Sequence, residues 1–312
     1  MTEEKKIAVF IPCYNAAATI AATMESVCAA VQAMALPVQV YLYDDCSKDD
    51  SVAIARQSWR GPGELIVHRN AVNSGERKTT NDAFGSFEGR YQWVFIIHAD
   101  DIVKKEWLTE MYGQIRQVDD SRCFTVWSSF DSLDGVTGKV VLGDDTGRIN
   151  IVDRTPEQKR QYITKLYCNW HISGAAINVR LYQELNGFDV TMAQFGDTDF
   201  FARGLLAGFT DVYISRTLTY YRVVAGSVSS TSVRTNRDIR EIIYIISKFG
   251  EILTRSEMKT LCNNLTSLAL RRACRWVIHP NLQNFLFCAG VALRYTIPPP
   301  LNNQRSHARK QT

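Results

Sequence analysis

Three short acidic clusters carry the chemistry latent in this sequence: Asp44-Asp45-Cys46-Ser47-Lys48-Asp49, His98-Ala99-Asp100-Asp101 and Phe195-Gly196-Asp197-Thr198-Asp199-Phe200. Adjacent carboxylates such as Asp44 and Asp45 accept hydrogen bonds from a base imide N–H or from ribose hydroxyls. The competing reading is a helix cap with one spare aspartate. A carboxylate fixed like Asp100 can hold a hard divalent cation, Mg²⁺ or Mn²⁺, that also binds two phosphates and neutralises charge on a departing diphosphate. It can equally cap a helix starting near Lys104. Asp197 and Asp199 lie two apart, so on a helix they diverge and one alone faces a site comfortably. That one can take a proton from an attacking hydroxyl, although for the pair in isolation capping is the plainer explanation.

Such clusters make one site only if a common frame gathers them. Lys6–Ile11 is a β-branched, bulky run that stops at Pro12 and reads as a buried strand. Ala16–Ala35 is Ala-rich and helical, and Val38–Tyr43 is a second strand running into Asp44-Asp45. Asp50–Trp59 is helical, capped by Asp49 or Asp50. Leu65–His68 is a third short strand, Glu76–Phe87 a helix, and Tyr91–Ile97 a fourth strand ending at His98. This alternation is the grammar of an α/β protein with a Rossmann-type, mainly parallel sheet flanked by helices. Ligands of such sheets sit outside the carboxyl ends of the strands, where Pro12–Asn15, Asp44–Asp50 and His98–Asp101 all fall. From Arg122 the pattern loosens. Cys123–Phe130 and Lys139–Leu142 read as strands, residues 143–153 as a loop, and Ile177–Asn186 and Asp197–Ala207 as helices, the first ending at Gly187. Asp238–Phe249, Arg255–Val277 and Asn281–Arg294 form a C-terminal helical appendage, closed by Pro298-Pro299-Pro300. The organisation expected is a catalytic domain over 1–230, a basic helical appendage over 231–300 and a structureless tail over 301–312.

The chain has 312 residues, 46% hydrophobic and 22% charged, without internal repeats or long low-complexity stretches. That excludes a disordered tail protein, a collagen-like fibre, a small disulfide scaffold and a solenoid. A net charge of +4 is too mild for a nucleic-acid binder, but it is unevenly spread: residues 1–215 hold 21 Lys/Arg against 28 Asp/Glu, and residues 216–312 hold 15 against 4. A basic C-terminal third points to contact with something anionic, or to a solvated face and a frayed tail. The eight cysteines show no C-x-x-C spacing and read as buried hydrophobes of a reducing cytoplasm. Met1–Lys6 is polar, so no targeting segment is expected. The longest apolar run near the C-terminus, Phe285–Leu293, is about half of what a bilayer crossing needs. The expected place is the cytoplasm, in solution or peripheral on the inner membrane.

Taken in order, several segments resemble the family 2 glycosyltransferases of the GT-A fold. They are Ile11-Pro12-Cys13-Tyr14-Asn15; Asp44 to Asp49; Asn73-Ser74-Gly75 followed by Asn81; Gly89 with Trp93 to Asp101; Asn186-Gly187-Phe188-Asp189; Asp197-x-Asp199 with Arg203 and Gly208; and Tyr221-Arg222 with Gly226-Ser227. The resemblance runs from Lys6 to Ser230. It implies an inverting transferase that moves one sugar from a UDP-, dTDP- or GDP-linked donor to a hydroxyl of a carbohydrate acceptor, assisted by Mn²⁺ or Mg²⁺. It assigns Pro12, Tyr14 and Asn15 to the nucleoside pocket, Asp44 or Asp45 to base or ribose, Asp100 to the metal on the diphosphate, and Asp197 to the general base. It also implies bacterial surface-polysaccharide assembly with a lipid-linked acceptor.

Three positions depart from that pattern. His98 stands where the family usually has Asp, so His98-Ala99-Asp100 takes the place of the donor-binding acid pair; the imidazole can still hydrogen-bond a ribose or ligate a metal. Val224 stands where a histidine ligand is common. Thr80 replaces an Arg before Asn81, and Arg77, one turn earlier, or Lys78 is then the cation within reach of the donor. On the acceptor side, Trp170 is the candidate for stacking on a sugar ring, with His171 and Gly174 beside it, although for His171 a core or surface role is the plainer reading. The basic helix with Arg255, Lys259, Arg271, Arg272 and Arg275 among Leu265, Leu268, Leu270 and Val277 admits three readings: an anionic membrane surface, a cap on the catalytic domain, or a homo-oligomer contact. A sugar-nucleotide pyrophosphorylase is excluded by Pro12-Cys13-Tyr14-Asn15 in place of a Gly-rich basic loop. A dehydrogenase is excluded because G-x-G-x-x-G is missing after the first strand. The remaining rival is a catalytically silent sugar- or nucleotide-binding module, which His98 and Val224 allow and the pair Asp100 and Asp197 opposes.

Overall fold

The structure is a computed structural model of the chain and describes residues 4–152, 154–165, 170–223, 228–278 and 281–299. Val224, Gly226-Ser227 and the tail from Asn302 lie outside the described residues. The chain divides into two compact units, residues 1–154 with 169–227, and residues 155–168 with 228–312.

The first unit is built on a ten-stranded mixed sheet. Strand β1 (Ile7–Cys13) leads to helix α1 (Ile20–Gln32), then β2 (Gln39–Asp44), α2 (Ser51–Ser58), β3 (Leu65–Arg69), α3 (Glu76–Phe87) and β4 (Trp93–Ile96). These four strands pair in parallel in the order β3-β2-β1-β4, because each helical crossover returns the chain in the same direction. Every residue of β1 is buried, as a strand covered on both faces requires. Its alternation divides the core: Ile7, Val9 and Ile11 join Ile20, Met24 and Val27 of α1, while Phe10 points to Phe84 and Phe87 of α3.

The chain continues through β5 (Ile102–Val103), α4 (Trp107–Ile115), β6 (Cys123–Asp134), β7 (Val140–Val141) and β8 (Ile149–Val152). Helix α5 (Pro156–Thr164), which belongs to the second unit, precedes β9 (Ala176–Asn178), α6 (Val179–Glu184), α7 (Gly196–Leu206) and β10 (Thr210–Val223). β9 lies antiparallel between β4 and β6, and β10 lies parallel to β6 with β5 and β8 antiparallel on it. Strands β1–β4, β6 and β10 therefore share one direction and end at one rim.

Some expectations change. Ala176-Ile177-Asn178 forms a strand because it fills the slot between β4 and β6, which leaves the helix only Val179–Glu184. Ile149–Val152, within the expected loop, pairs with β10. β10 itself has no clean sequence signal, since register shifts around Thr217 break its alternation.

The second unit holds α5, α8 (Val228–Thr235), α9 (Arg237–Phe249), α10 (Arg255–Ile278) and α11 (Leu282–Tyr295). α9 buries Ile239, Ile242, Ile245, Ile246 and Phe249 along one stripe. Arg272 does not belong to an outward cationic face: it is buried and paired with Asp238 at 2.9 Å, the arrangement a buried charge needs. Leu265 is buried too. Among the described residues, no helix is long and apolar enough to cross a membrane.

Candidate active site

The first acidic turn, after β2, is held together from within. Asp44 is fully buried; both its oxygens accept the Ser47 N–H at 3.2 Å, and Arg69 Nε lies 3.1 Å away. Asp45 accepts from the N–H groups of Ser74 and Gly75 at 2.8 and 2.7 Å and from Asn70 Nδ2 at 2.8 Å. Burial alone would push the carboxyl up, but these donors outweigh it and hold Asp45 below its ordinary value. Asp45 thus ties the turn after β2 to the loop that opens α3. Asn15, in the left-handed region at φ 48°, accepts from the Lys48 N–H at 2.8 Å and donates its own N–H to Ser47 Oγ at 2.9 Å. Pro12 is buried at the end of β1, and Tyr14 stands 49% exposed beside the turn.

The second turn follows β4. His98, Asp100 and Asp101 place one ligand atom each within 4.8 Å of one another. Asp101 accepts the Arg222 N–H at 2.8 Å, which anchors the turn to the end of β10. The Ala99 carbonyl accepts the hydroxyls of Thr19 and Thr23 at 2.9 and 3.0 Å, so Ala99 contributes position rather than side-chain chemistry. Burial and the neighbouring Asp101 push the Asp100 carboxyl up, against the pull of His98. That mutual repulsion suits a divalent cation, and two carboxylates with an imidazole are an acceptable donor set for Mn²⁺ or Mg²⁺. His98 is the least available of the three. Its Nε2 lies 3.3 Å from Glu76. Burial alone would lower its proton affinity, but Glu76 prevails and raises it to about 9.

The third cluster opens α7. Asp199 turns inward, 1% exposed, and pairs with Arg203 at 2.9 Å. Arg203 in turn donates to the Gly187 carbonyl at 2.7 Å. Asp197 diverges from it, as the spacing on a helix demands, and meets Arg77 at 2.6 Å. Arg77 is buried, stacked over the Phe188 ring at 4.9 Å, and also pairs with Glu76 at 3.2 Å. The helix start leaves room for it: a Cβ on Gly196 would stand 2.8 Å from Arg77 Nε. An unbroken chain of charges therefore runs Asp197–Arg77–Glu76–His98. The Tyr221 hydroxyl is pushed up by burial and by the charges of Asp101, Asp100 and Asp197.

Other expected residues lie elsewhere. Trp170 is 2% exposed, stacked on Phe201 and bonded through Nε1 to Thr125 at 3.1 Å. It is a core side chain with no face for a sugar. Gly174 is buried at φ +93°, with its carbonyl on Trp107 Nε1 at 2.9 Å and Thr219 closing on its Cα; it shapes the chain and lines no cleft. Asn81 grips the backbone N–H and carbonyl of Phe188 at 2.8 and 2.9 Å and takes the Tyr182 hydroxyl, which commits it to holding α3. Lys78 is half exposed and paired with Asp82 at 2.7 Å. His171 does sit near the site, its ring 6.1 Å from that of His98 and in contact with Phe130 and Tyr221. The sequence reading overlooks Glu76 as a partner of His98 and Arg77, and Phe130 and Tyr221 as the aromatic wall. Glu76 had a signal, since it directly precedes Arg77 at a helix start.

A mixed α/β sheet with its acidic turns gathered at one strand rim, joined to a C-terminal helical region, is the GT-A arrangement of sugar-transferring enzymes. Residues 8–175, more than half of the chain, match the family described as Glycosyl transferase family 2, and the chain belongs to that family. It is 23% identical to Glycosyltransferase GlyG of Streptococcus pneumoniae serotype 4 (strain ATCC BAA-334 / TIGR4) over 256 residues, 78% of each chain. Among solved structures, S. aureus TarS 1-349 matches with a TM-score of 0.54 at 17% identity, over 93% of this chain and 91% of that one. Its complex with UDP-GlcNAc matches to the same extent. At that identity the likeness is one of fold.

Proposed function

We propose that this glycosyltransferase inverts configuration while moving a sugar from a nucleotide diphosphate donor to a hydroxyl of a carbohydrate acceptor, in the cytoplasm and in the service of polysaccharide assembly. The acceptor is lipid-linked in this reading. UDP leads the candidate nucleotides, ahead of dTDP and GDP, because TarS, a neighbour in fold, has been solved with UDP-GlcNAc and with UDP. The observation that carries the proposal is the chain of charges that leads from Asp197 through Arg77 and Glu76 to His98, whose ligand atom lies within 4.8 Å of those of Asp100 and Asp101.

In this reading Asp100, with Asp101, holds a divalent cation. When bound, that ion stabilises charge on the departing diphosphate. Tyr14 and Asn15 border the base, and the turn organised by Asp44 and Asp45 gives that pocket its shape. One Asp197 carboxylate oxygen accepts the proton of the acceptor hydroxyl as the hydroxyl oxygen bonds to the anomeric carbon and the bond from that carbon to the departing nucleoside diphosphate breaks. Arg77 fixes the direction of the Asp197 carboxylate, and Glu76 balances the arginine's charge. Phe130, His171 and Tyr221 present an aromatic wall to the acceptor sugar.

The test is a thermal-shift series with UDP, dTDP and GDP, each with and without Mn²⁺, since a ligand of the folded state raises the melting temperature by mass action. UDP with Mn²⁺ should give the largest rise. Failure of all three at millimolar concentration overturns the donor site. The silent-module reading draws on the ion pair that occupies Asp197; measurable donor hydrolysis with Mn²⁺ eliminates it.

A further inference from the structure

We propose that the outward face of α11, with the adjoining end of α10, is a docking surface for an anionic lipid bilayer. α11 has one charged residue, Arg294, among its 14. One of its faces, made of Cys288, Val291, Ala292 and Tyr295, is buried. The opposite face holds Leu282, Leu286 and Leu293, spaced so that they share one line of the helix; they are 71%, 58% and 81% exposed. Val277 and Ile278, at the end of α10, are 63% and 75% exposed. A helix that is apolar all round belongs where both faces are covered, and a contiguous exposed apolar patch marks an interaction site.

Charge selects the partner. From Arg255 to Thr312 the chain has nine Lys/Arg and a single acid, Glu257, which Arg160 already engages at 2.9 Å. Arg271, Arg275 and Arg294 are exposed alongside the apolar stripe. Two copies of such a surface repel each other, whereas an anionic leaflet attracts it, each basic residue strengthening attachment about fivefold. Residues 301–312 add one large apolar side chain, Leu301, and three further basic ones. Leu282 to Leu293 spans roughly 16 Å of helix axis, about half of a bilayer core. The helix therefore lies in the interface and does not cross it. The inference rests on the C-terminal unit alone, so it can fail without touching the transfer reading, and the reverse.

The experiment is co-sedimentation of the full chain with vesicles of phosphatidylglycerol and phosphatidylethanolamine, or of phosphatidylcholine alone, at an ionic strength of about 0.15 M. The protein should bind the anionic vesicles and leave the neutral ones. The triple variant Leu282→Gln, Leu286→Gln, Leu293→Gln should lose binding by at least about tenfold with an unchanged melting temperature and unchanged donor binding. Arg275→Gln with Arg294→Gln should weaken it about 25-fold. Equal binding by the triple variant, or none by the parent chain, overturns the proposal. So does a parent dimer, seen by light scattering, that the triple variant converts to a monomer, for that outcome assigns the stripe to a second copy.

Discussion

The two acid pairs at the rim, Asp44-Asp45 and Asp100-Asp101, look alike in sequence and differ in what their neighbours offer. Around Asp45 the loop at 70–75 turns its N–H groups back onto the carboxylate, and Asp44 is enclosed by Ser47 and Arg69. Those charges are consumed in holding backbone. Around Asp100 there is a second carboxylate and burial, and its proton affinity rises. The contrast teaches that donors within reach, rather than the pairing of acids, separate an aspartate committed to the backbone from one whose charge is left for another partner, the cation in the function proposed here.

The widest gap between structural and chemical acids should appear at Asp197. Asp197→Asn is expected to lower kcat about 10³-fold while nucleotide affinity, read by calorimetry, stays within about twofold. Loss of both would move Asp197 to the donor side. Asp100→Ala should weaken Mn²⁺-dependent nucleotide binding by at least about tenfold and leave the ligand-free melting temperature unchanged or raised, because a like-charge neighbour of Asp101 is gone. A fall in that temperature would erase the distinction drawn above. Asp45→Asn should do the opposite, costing about 2 kcal/mol of stability. The pH dependence has a definite sign. The folded protein holds Asp45 below its ordinary 3.8, so its contribution is complete above that value and is lost as pH falls through the lower, folded value. Melting curves of parent and variant should converge in acid, and a gap that persists there would count against the hydrogen-bonded anion. Smallest is Lys78→Ala, an exposed pair with Asp82, expected to change stability by less than about 0.5 kcal/mol. A tenfold loss of donor affinity would instead place Lys78 at the phosphates.

Much of this contrast was hidden in the sequence, while the frame around it was not. β1–β4 and α1–α3 declare themselves because buried parallel strands are continuous apolar runs that stop at Pro12, Asp44 and His98. β10 is masked because Thr210, Thr217 and Thr219 and an irregular register interrupt its alternation. α5 is hidden because Pro156–Thr164 is polar but for Tyr162 and Ile163 near its end, too few to set a helical period, although the capping box of Thr155 and Gln158 announces its start. At the site, the divergence of Asp197 and Asp199 follows from helix geometry alone. The capture of Asp197 by Arg77 does not, since it depends on two segments far apart in the chain. Trp170 misleads for a related reason: a ring that suits a sugar suits Phe201 equally, and only packing decides.

The bare Cα of Gly196 against the Arg77 guanidinium has a consequence for descent. A Cβ at 196 would stand 2.8 Å from Arg77 Nε, so any side chain there must push the arginine aside, and the two positions should change together: homologues with a side chain at 196 should show Arg77 replaced or turned away, and those that retain its pairing with Asp197 should keep the glycine.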